Sequence, residues 1–316
     1  MIKKGDTMSY GYDYETKERF LSDIKKHFFP ILTKTELKRK QSYLIYMFVF
    51  PAITLCMIIL SICIHFFQIN TSILNYEQLM SACILIGVSF LAFACIKVIK
   101  STIVLSTSEV NELLKYYGSV QKEEKNLLSE TGINPTALFP VGKYEEYNCF
   151  SGVFKNITFS FENIHVSITR YINRNGKISK EQKTVFSGVL IKIPLSDIIG
   201  QTIITSQYYD GELGMIPHIN GMSQEDVVYT DSKEEALSII TPDFIGKYNT
   251  IKEFLNSKDV RIAFADNCMI LTYQTYTNLS LYFSLSESLI STEKYESFYD
   301  QIIQIYKIIE ILDIQQ

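Results

Sequence analysis

Two long apolar runs, Ser42–Gln68 and Met80–Ile99, dominate the first third of the chain. Each is long enough to cross a bilayer core as a helix, which takes roughly 20 apolar residues. Lys34, Lys38, Arg39 and Lys40 precede the pair, Lys97 and Lys100 stand at its exit, and the intervening Ile69–Leu79 carries Glu77 but no Lys or Arg. By the positive-inside rule both flanks lie on the cytoplasmic side, so the pattern predicts a hairpin with both termini inside. The alternative is a pair of core helices in a large soluble protein. The lack of internal charge before Lys97 and the scarcity of turn residues favour the spans. A cleaved signal peptide is not expected, because the first run begins past the usual length of such a leader.

Upstream, Glu15–Phe29 reads as an amphipathic helix stopped by Pro30. Phe20, Leu21, Ile24 and Phe28 form its apolar stripe, with Lys17, Arg19, Lys25 and Lys26 on the other faces. Two readings stand: a helix lying on anionic lipid, or one packed on protein with its lysines in solvent. Pro51 is expected to interrupt the helical hydrogen bonding of the first span. Cys83, Gly87 and Ala94 share a face of the second span, where small residues admit a close helical neighbour. Ser106–Thr131 is charged and helix-prone, and predicts a helical stalk continuing from the second span. Leu113, Tyr116, Tyr117, Val120, Leu127 and Leu128 form its candidate self-association stripe.

From Ile133 the pattern turns to strands, marked off by the breakers Asn134-Pro135 and Phe139-Pro140. Strands are predicted at Asn156–Phe161, Ile164–Tyr171, Thr184–Ile193, Thr202–Thr205, Val227–Tyr229 and Leu279–Leu285. Val260–Ala265 and Met269–Tyr276 read as a hairpin turning at Asp266-Asn267. Ser232–Leu255 reads as a helix broken at Thr241-Pro242 and capped by Ser232 with Glu235. Tyr295–Leu312 is a terminal helix with Phe298, Ile302, Ile305, Ile309 and Leu312 on one stripe. Phe150-Ser151-Gly152-Val153 and Phe186-Ser187-Gly188-Val189 echo one another, their glycines read as marking bulges or close backbone approach.

The organisation expected is therefore 1–41, a basic cytoplasmic segment; 42–99, a transmembrane hairpin (42–68 and 80–99); 100–132, a helical stalk; and 133–316, a cytosolic domain. The fold class is α+β, with a mainly antiparallel sheet and a C-terminal helix. A barrel closed by its last helix is the runner-up.

Composition narrows the function. The net charge of −4 offers no electrostatic support for nucleic-acid binding. Four of the six cysteines, Cys56, Cys63, Cys83 and Cys95, lie in the apolar runs; Cys149 and Cys268 are isolated and read as small buried hydrophobes. Abundant Ile, Lys, Asn and Tyr without Trp suggest an AT-rich bacterial genome. The chain contains no nucleophile elbow, phosphate loop or zinc-protease motif. His27, His65, His165 and His218 are scattered, and Asp210-Gly211-Glu212-Leu213-Gly214 lacks calcium-loop spacing. No residue is nominated as catalytic, cofactor-binding or metal-binding, and no cofactor is expected.

Thr184–Ile191 with its F-S-G, Ser232–Phe244 with Glu235-Ala236 and Ile240-Thr241-Pro242-Asp243-Phe244, and Ala263-Phe264-Ala265-Asp266-Asn267 resemble the DUF3137 family of uncharacterised bacterial membrane proteins. The resemblance implies two spans, a cytoplasmic domain and the bacterial inner membrane; it carries no activity. The expected role is a membrane-tethered cytosolic binding or scaffold module, more a binder than an enzyme. The alternatives are a cryptic enzyme acting on a membrane-proximal substrate and a subunit of an oligomeric membrane complex. Expected partners are the lipid bilayer and, through the spans, a protein partner or a second copy of the chain.

Overall fold

The computed structural model describes residues 14–67, 75–117, 119–130, 133–174, 177–196, 200–206, 209, 211–257, 259–275 and 282–314. In chain order the helices are α1 (Tyr14–Asp23), α2 (Phe29–Leu44), α3 (Phe50–Phe67), α4 (Tyr76–Lys100), α5 (Thr107–Leu114), α6 (Pro135–Leu138), α7 (Lys233–Ile239), α8 (Pro242–Leu255) and α9 (Glu293–Leu312). The strands are β1 (Thr102–Val104), β2 (Ser119–Glu123), β3 (Lys143–Phe154), β4 (Ile157–Arg174), β5 (Lys177–Pro194), β6 (Thr202–Thr205), β7 (Gly214–Ile216), β8 (Val227–Thr230), β9 (Val260–Ala265), β10 (Cys268–Gln274) and β11 (Tyr282–Ser284). The protein is α+β. Two compact units emerge, one drawing on Val110–Ser280 and Tyr295–Gln316, the other on Glu18–Glu109 and Leu281–Lys294.

In the helical unit, α1, α2 and α3 join into one continuous helix, Lys17–Phe67. Pro30 does not stop it, contrary to the expectation from sequence. A proline clashes with the carbonyl four residues back, here that of Lys26, and for Pro51 that of Met47. Both carbonyls lie in π-helical turns, Ile24–Phe28 and Ile45–Val49. The Phe29 N–H donates to Ile24 O and the Phe50 N–H to Ile45 O, five residues back, so each widened turn absorbs its proline. Phe20, Ile24 and Phe28 are buried and Leu21 is half-buried, so protein covers most of the apolar stripe. That outcome favours the packed reading over a helix lying on lipid.

α4 starts with a capping box in which Asn75 and Gln78 exchange hydrogen bonds. It then packs against α3: Thr54 Oγ1 donates to Gly87 O at 2.9 Å, and Phe50 meets Phe90 and Phe93 at 5.7 and 5.8 Å. Cys83, Gly87 and Ala94 are buried, as the small-residue face requires, and the neighbour is the first apolar helix. A Cβ on Gly87 would sit 3.3 Å from Met57 Cβ. Outward, the pair is apolar and bare: Phe48, Leu55, Leu85 and Val88 are all exposed.

The helical stalk expected over 100–132 does not form. Ser101 ends α4 in an extended conformation, and β1 follows at once, pairing antiparallel with β11. Ser106 and Glu109 then cap the short α5, each accepting a hydrogen bond from the other's backbone N–H. A 3-10 turn, β2 and a second 3-10 turn at Leu128–Glu130 follow. The stripe assigned to self-association is largely core instead: Leu113, Tyr117, Val120, Leu127 and Leu128 are buried and Tyr116 is half-buried. Charged residues on a helix-prone segment fit a surface strand and short helix equally well, and the apolar positions followed the fold's interior.

The second unit is built on a nine-stranded sheet ordered β2-β3-β4-β5-β10-β9-β6-β8-β7, antiparallel at every pairing. Its edges β2 and β7 do not pair with each other among the described residues, so the sheet is open and not the barrel that was the alternative. Asn156–Phe161 and Ile164–Tyr171, read as two strands, are one: β4 runs straight through Glu162-Asn163. The hairpin of β9 and β10 turns at Asp266 and Asn267, whose φ of 48° and 55° are the left-handed values of a tight primed turn. Ser232 caps α7 by accepting the Glu235 N–H. The reciprocal half of the predicted box is redirected, because the Glu235 carboxylate takes the Gly200 N–H.

Side chains alternate across the sheet. One face carries Phe159, Phe161, Val189, Ile262 and Tyr273 beneath α8 and α9; Phe159 packs edge-on to Tyr306, Phe244 on Phe264, and the Tyr273 hydroxyl donates to Gln304. The predicted stripe of α9 is buried there throughout. The other face carries Ile164, Val166, Phe186, Leu190, Ile203 and Ile270, covered by Leu127, Leu128, Ile133, Leu138 and Phe139.

Candidate functional site

The most unusual chemistry in the sheet unit is a carboxylate under that second cover. β3 bulges at Asn148-Cys149: the register steps from Tyr147↔Asn163 to Phe150↔Phe161, and Asn148 takes a φ of 50°. Two residues on β3 thus face the one residue Glu162. Glu162 is 1% exposed. Its Oε2 accepts the Leu127 N–H at 2.9 Å and its Oε1 the Leu128 N–H at 3.0 Å. Leu128–Glu130 is a short 3-10 turn, so the carboxylate caps its amino end from a strand thirty-odd residues away.

Burial pushes the Glu162 carboxyl up to about 7; the two amide donors oppose the rise, and neighbouring Glu146 and Glu130 add to it. Glu146 is itself raised by burial, and its Oε2 has no hydrogen-bond partner. Cys149, in the bulge, is pushed up to about 12 by burial and then by Glu162 and Glu123. A thiol held so high is not a nucleophile at neutral pH. Both Glu162 oxygens are committed to backbone donors, so the group works as a titrating latch on the cover segment.

Arg261 is the second buried ion on this face, with no exposure. Its Nε and Nη2 grip Asp259 at 2.7 Å each, and its Nη1 donates to Leu138 O. The guanidinium lies 5.2 Å from the Phe186 ring centroid and 6.0 Å from that of Phe139. Glu162 and Arg261 therefore hold the two ends of the cover, Leu127–Leu128 and Leu138. On the opposite face, the side-chain polar atoms of Asn163 and Gln301 are buried without hydrogen-bond partners.

The residues weighed from sequence are dispersed. His165 packs its ring edge-on to Tyr147 at 5.5 Å. His218, Glu212 and His65 are exposed, Cys149 and Cys268 are buried, and Asp210 lies outside the described residues. Among the described residues no group of three or more His, Cys, Asp or Glu side chains is placed to hold a metal. Nothing in the sequence alone singled out Glu162, although a signal existed: Glu162-Asn163 is an adjacent polar pair set directly between the apolar Phe161 and Ile164, where it breaks the alternation of the strand.

This architecture defines a class: an open antiparallel α+β sheet domain carried with an apolar helical hairpin. Residues 184–314, from within β5 to just past the end of α9, match the model of the DUF3137 family, described as a protein of unknown function. Among solved structures, the mycobacterial trehalose monomycolate transport factor A, TtfA, is similar with a TM-score of 0.35 at 8% identity, over 64% of this chain and 93% of that one. No curated protein matches the chain.

Proposed function

We propose that the chain is a membrane-anchored module of the bacterial inner membrane, with both termini and the sheet unit in the cytoplasm, acting as a binding or scaffold unit. The observation that supports this most is the bare apolar surface of α3 and α4. Leu55, Ile59, Leu85 and Val88 are 59, 52, 69 and 55% exposed, far beyond the scattered apolar exposure of a water-facing helix pair. Antiparallel packing sets Lys34–Lys40 and Lys97–Lys100 at one end of the pair, and the connection at the other end has neither Lys nor Arg. The buried Glu162 is spent on backbone donors and Arg261 on Asp259 and a backbone carbonyl, which suits a binding unit better than turnover.

Cysteine labelling in intact cells tests the topology. In a variant lacking the native cysteines, an impermeant reagent is expected to modify Asn75→Cys and to spare Glu225→Cys. The reverse pattern overturns the orientation, and labelling of both overturns the anchor.

A further inference from the structure

Strands β4 and β5 run on past their neighbours. β3 pairs with β4 only as far as Ser167, and β10 meets β5 only from Gly188 onward. Beyond those limits Ile168–Arg174 and the facing part of β5 pair only with each other among the described residues. A one-residue bulge at Val185, where the register steps from Val166↔Phe186 to Ser167↔Thr184, separates this ribbon from the sheet proper. The free stretch is roughly 25 Å long at the usual rise of a strand.

Its composition inverts that of the chain. Between Ser167 and Thr184 stand Arg170, Arg174, Lys177, Lys180 and Lys183 against one acid, Glu181, a net of +4 (five minus one) in a protein of net −4. Arg170, Lys180 and Lys183 are exposed, and no ion pair among the described residues engages them. Tyr171 and Ile178 are 72 and 73% exposed. Tyr171 stands directly opposite Lys180, and Ile178 follows on the same face of the ribbon. Lysines on a free edge discourage edge-to-edge pairing, but that role gives no reason to expose an aromatic and an aliphatic side chain beside them.

A phenol, an aliphatic chain and ammonium groups on one face match the chemistry of a bilayer interface. Aromatic rings settle at headgroup level, and cations near an anionic leaflet gain attraction residue by residue. We infer that this ribbon docks on anionic lipid headgroups, with Tyr171, Ile178 and Lys180 making contact and Arg170 and Lys183 adding attraction from the other face. The inference rests on the membrane-anchored reading, since tethering holds headgroups at high effective concentration and lets a small surface bind.

The test uses the full chain, native cysteines replaced by alanine, with an environment-sensitive fluorophore on Ile178→Cys. The chain is placed in nanodiscs of phosphatidylcholine alone or of phosphatidylcholine with phosphatidylglycerol. A blue shift is expected only in the anionic discs, reversed by high salt. Arg170→Gln, Lys180→Gln and Lys183→Gln should each weaken docking about fivefold. Equal emission in both discs, with the chain incorporated, overturns the ribbon and leaves the anchor standing. A shift produced by an added oligonucleotide but not by anionic lipid also overturns it. A chain that enters neither disc fails the anchored reading; the same labelled chain added to phosphatidylglycerol vesicles then decides the ribbon alone, by the presence or absence of the cation-dependent shift.

Discussion

Arg39 and Glu36, one helical turn apart on α2, form a buried ion pair with two contacts of 2.8 Å. The same two side chains hold a segment about 250 residues away. Glu36 accepts from the Leu289 N–H at 3.0 Å and the Ser288 hydroxyl at 3.1 Å, and Arg39 Nη1 donates to Leu285 O at 2.6 Å. A buried pair persists when further hydrogen bonds support it, and here each Arg39 nitrogen and each Glu36 oxygen has a partner.

Removing one partner strands the other charge in protein. Arg39→Met is expected to cost about 3 kcal/mol, seen as a lower Tm of the detergent-solubilised chain. The double variant Glu36→Gln/Arg39→Met should recover part of that loss. Burial acts to raise the Glu36 carboxyl, but Arg39 and the Leu289 amide outweigh it and hold it below the usual carboxylate range. Its contribution is therefore present above the unfolded value of about 4.5 and lost as pH falls below it. A Glu36→Gln variant that kept the full acid-induced loss of Tm would contradict this account.

Glu162 has the opposite sign. Its folded value of about 7 lies above the unfolded one, so the folded state holds the extra proton between the two. Stability should fall as pH rises from about 4.5 to 7 and level off beyond, by on the order of 3 kcal/mol at most. In Glu162→Gln, whose amide oxygen still accepts a backbone N–H, that slope should flatten. Urea midpoints taken across this pH range check it, and parallel curves for the two proteins count against the latch.

Gly188, the glycine of the F-S-G motif, sits where a Cβ would lie 2.1 Å from Tyr273 O and 2.8 Å from Phe186 Cζ. The carbonyl belongs to the neighbouring strand and cannot withdraw without opening the β5–β10 ladder. Gly188→Ala should cost about 3 kcal/mol, the upper end of overpacking. Hydrogen exchange should quicken first along Cys268–Gln274.

Arg261→Lys keeps the charge but loses the fork on Asp259 and the flat face against Phe139 and Phe186. A loss of about 2 kcal/mol is expected, the usual cost of leaving buried polar groups without their partner. The 127–139 cover should become more sensitive to limited proteolysis, while Lys180→Gln, on the exposed ribbon, should leave that cleavage unchanged.

Much of the fold was legible because short-range rules apply to it. Ser232, Thr241-Pro242 and Asp266-Asn267 marked caps, a break and a turn that depend on a few adjacent residues, and the α9 stripe repeated often enough to be seen. The stalk was misread for a related reason: Ser106–Thr131 has helix-compatible residues, and nothing local says that Val120 must cross to β3. Glu162 lay hidden because its partners, Leu127 and Leu128, are donors by backbone position and leave no trace in side-chain identity.

The sequence by itself determined the two apolar helices, the antiparallel α+β character of the remainder and the family resemblance, since hydrophobic periodicity and turn chemistry act over neighbouring residues. Only the tertiary structure decided that the helix passes through Pro30, that residues 102–104 pair with 282–284, and that Glu36, Arg39, Glu162 and Arg261 are buried. Each depends on contacts between distant segments, where the cost of removing a charge from water is offset by partners that no local pattern records.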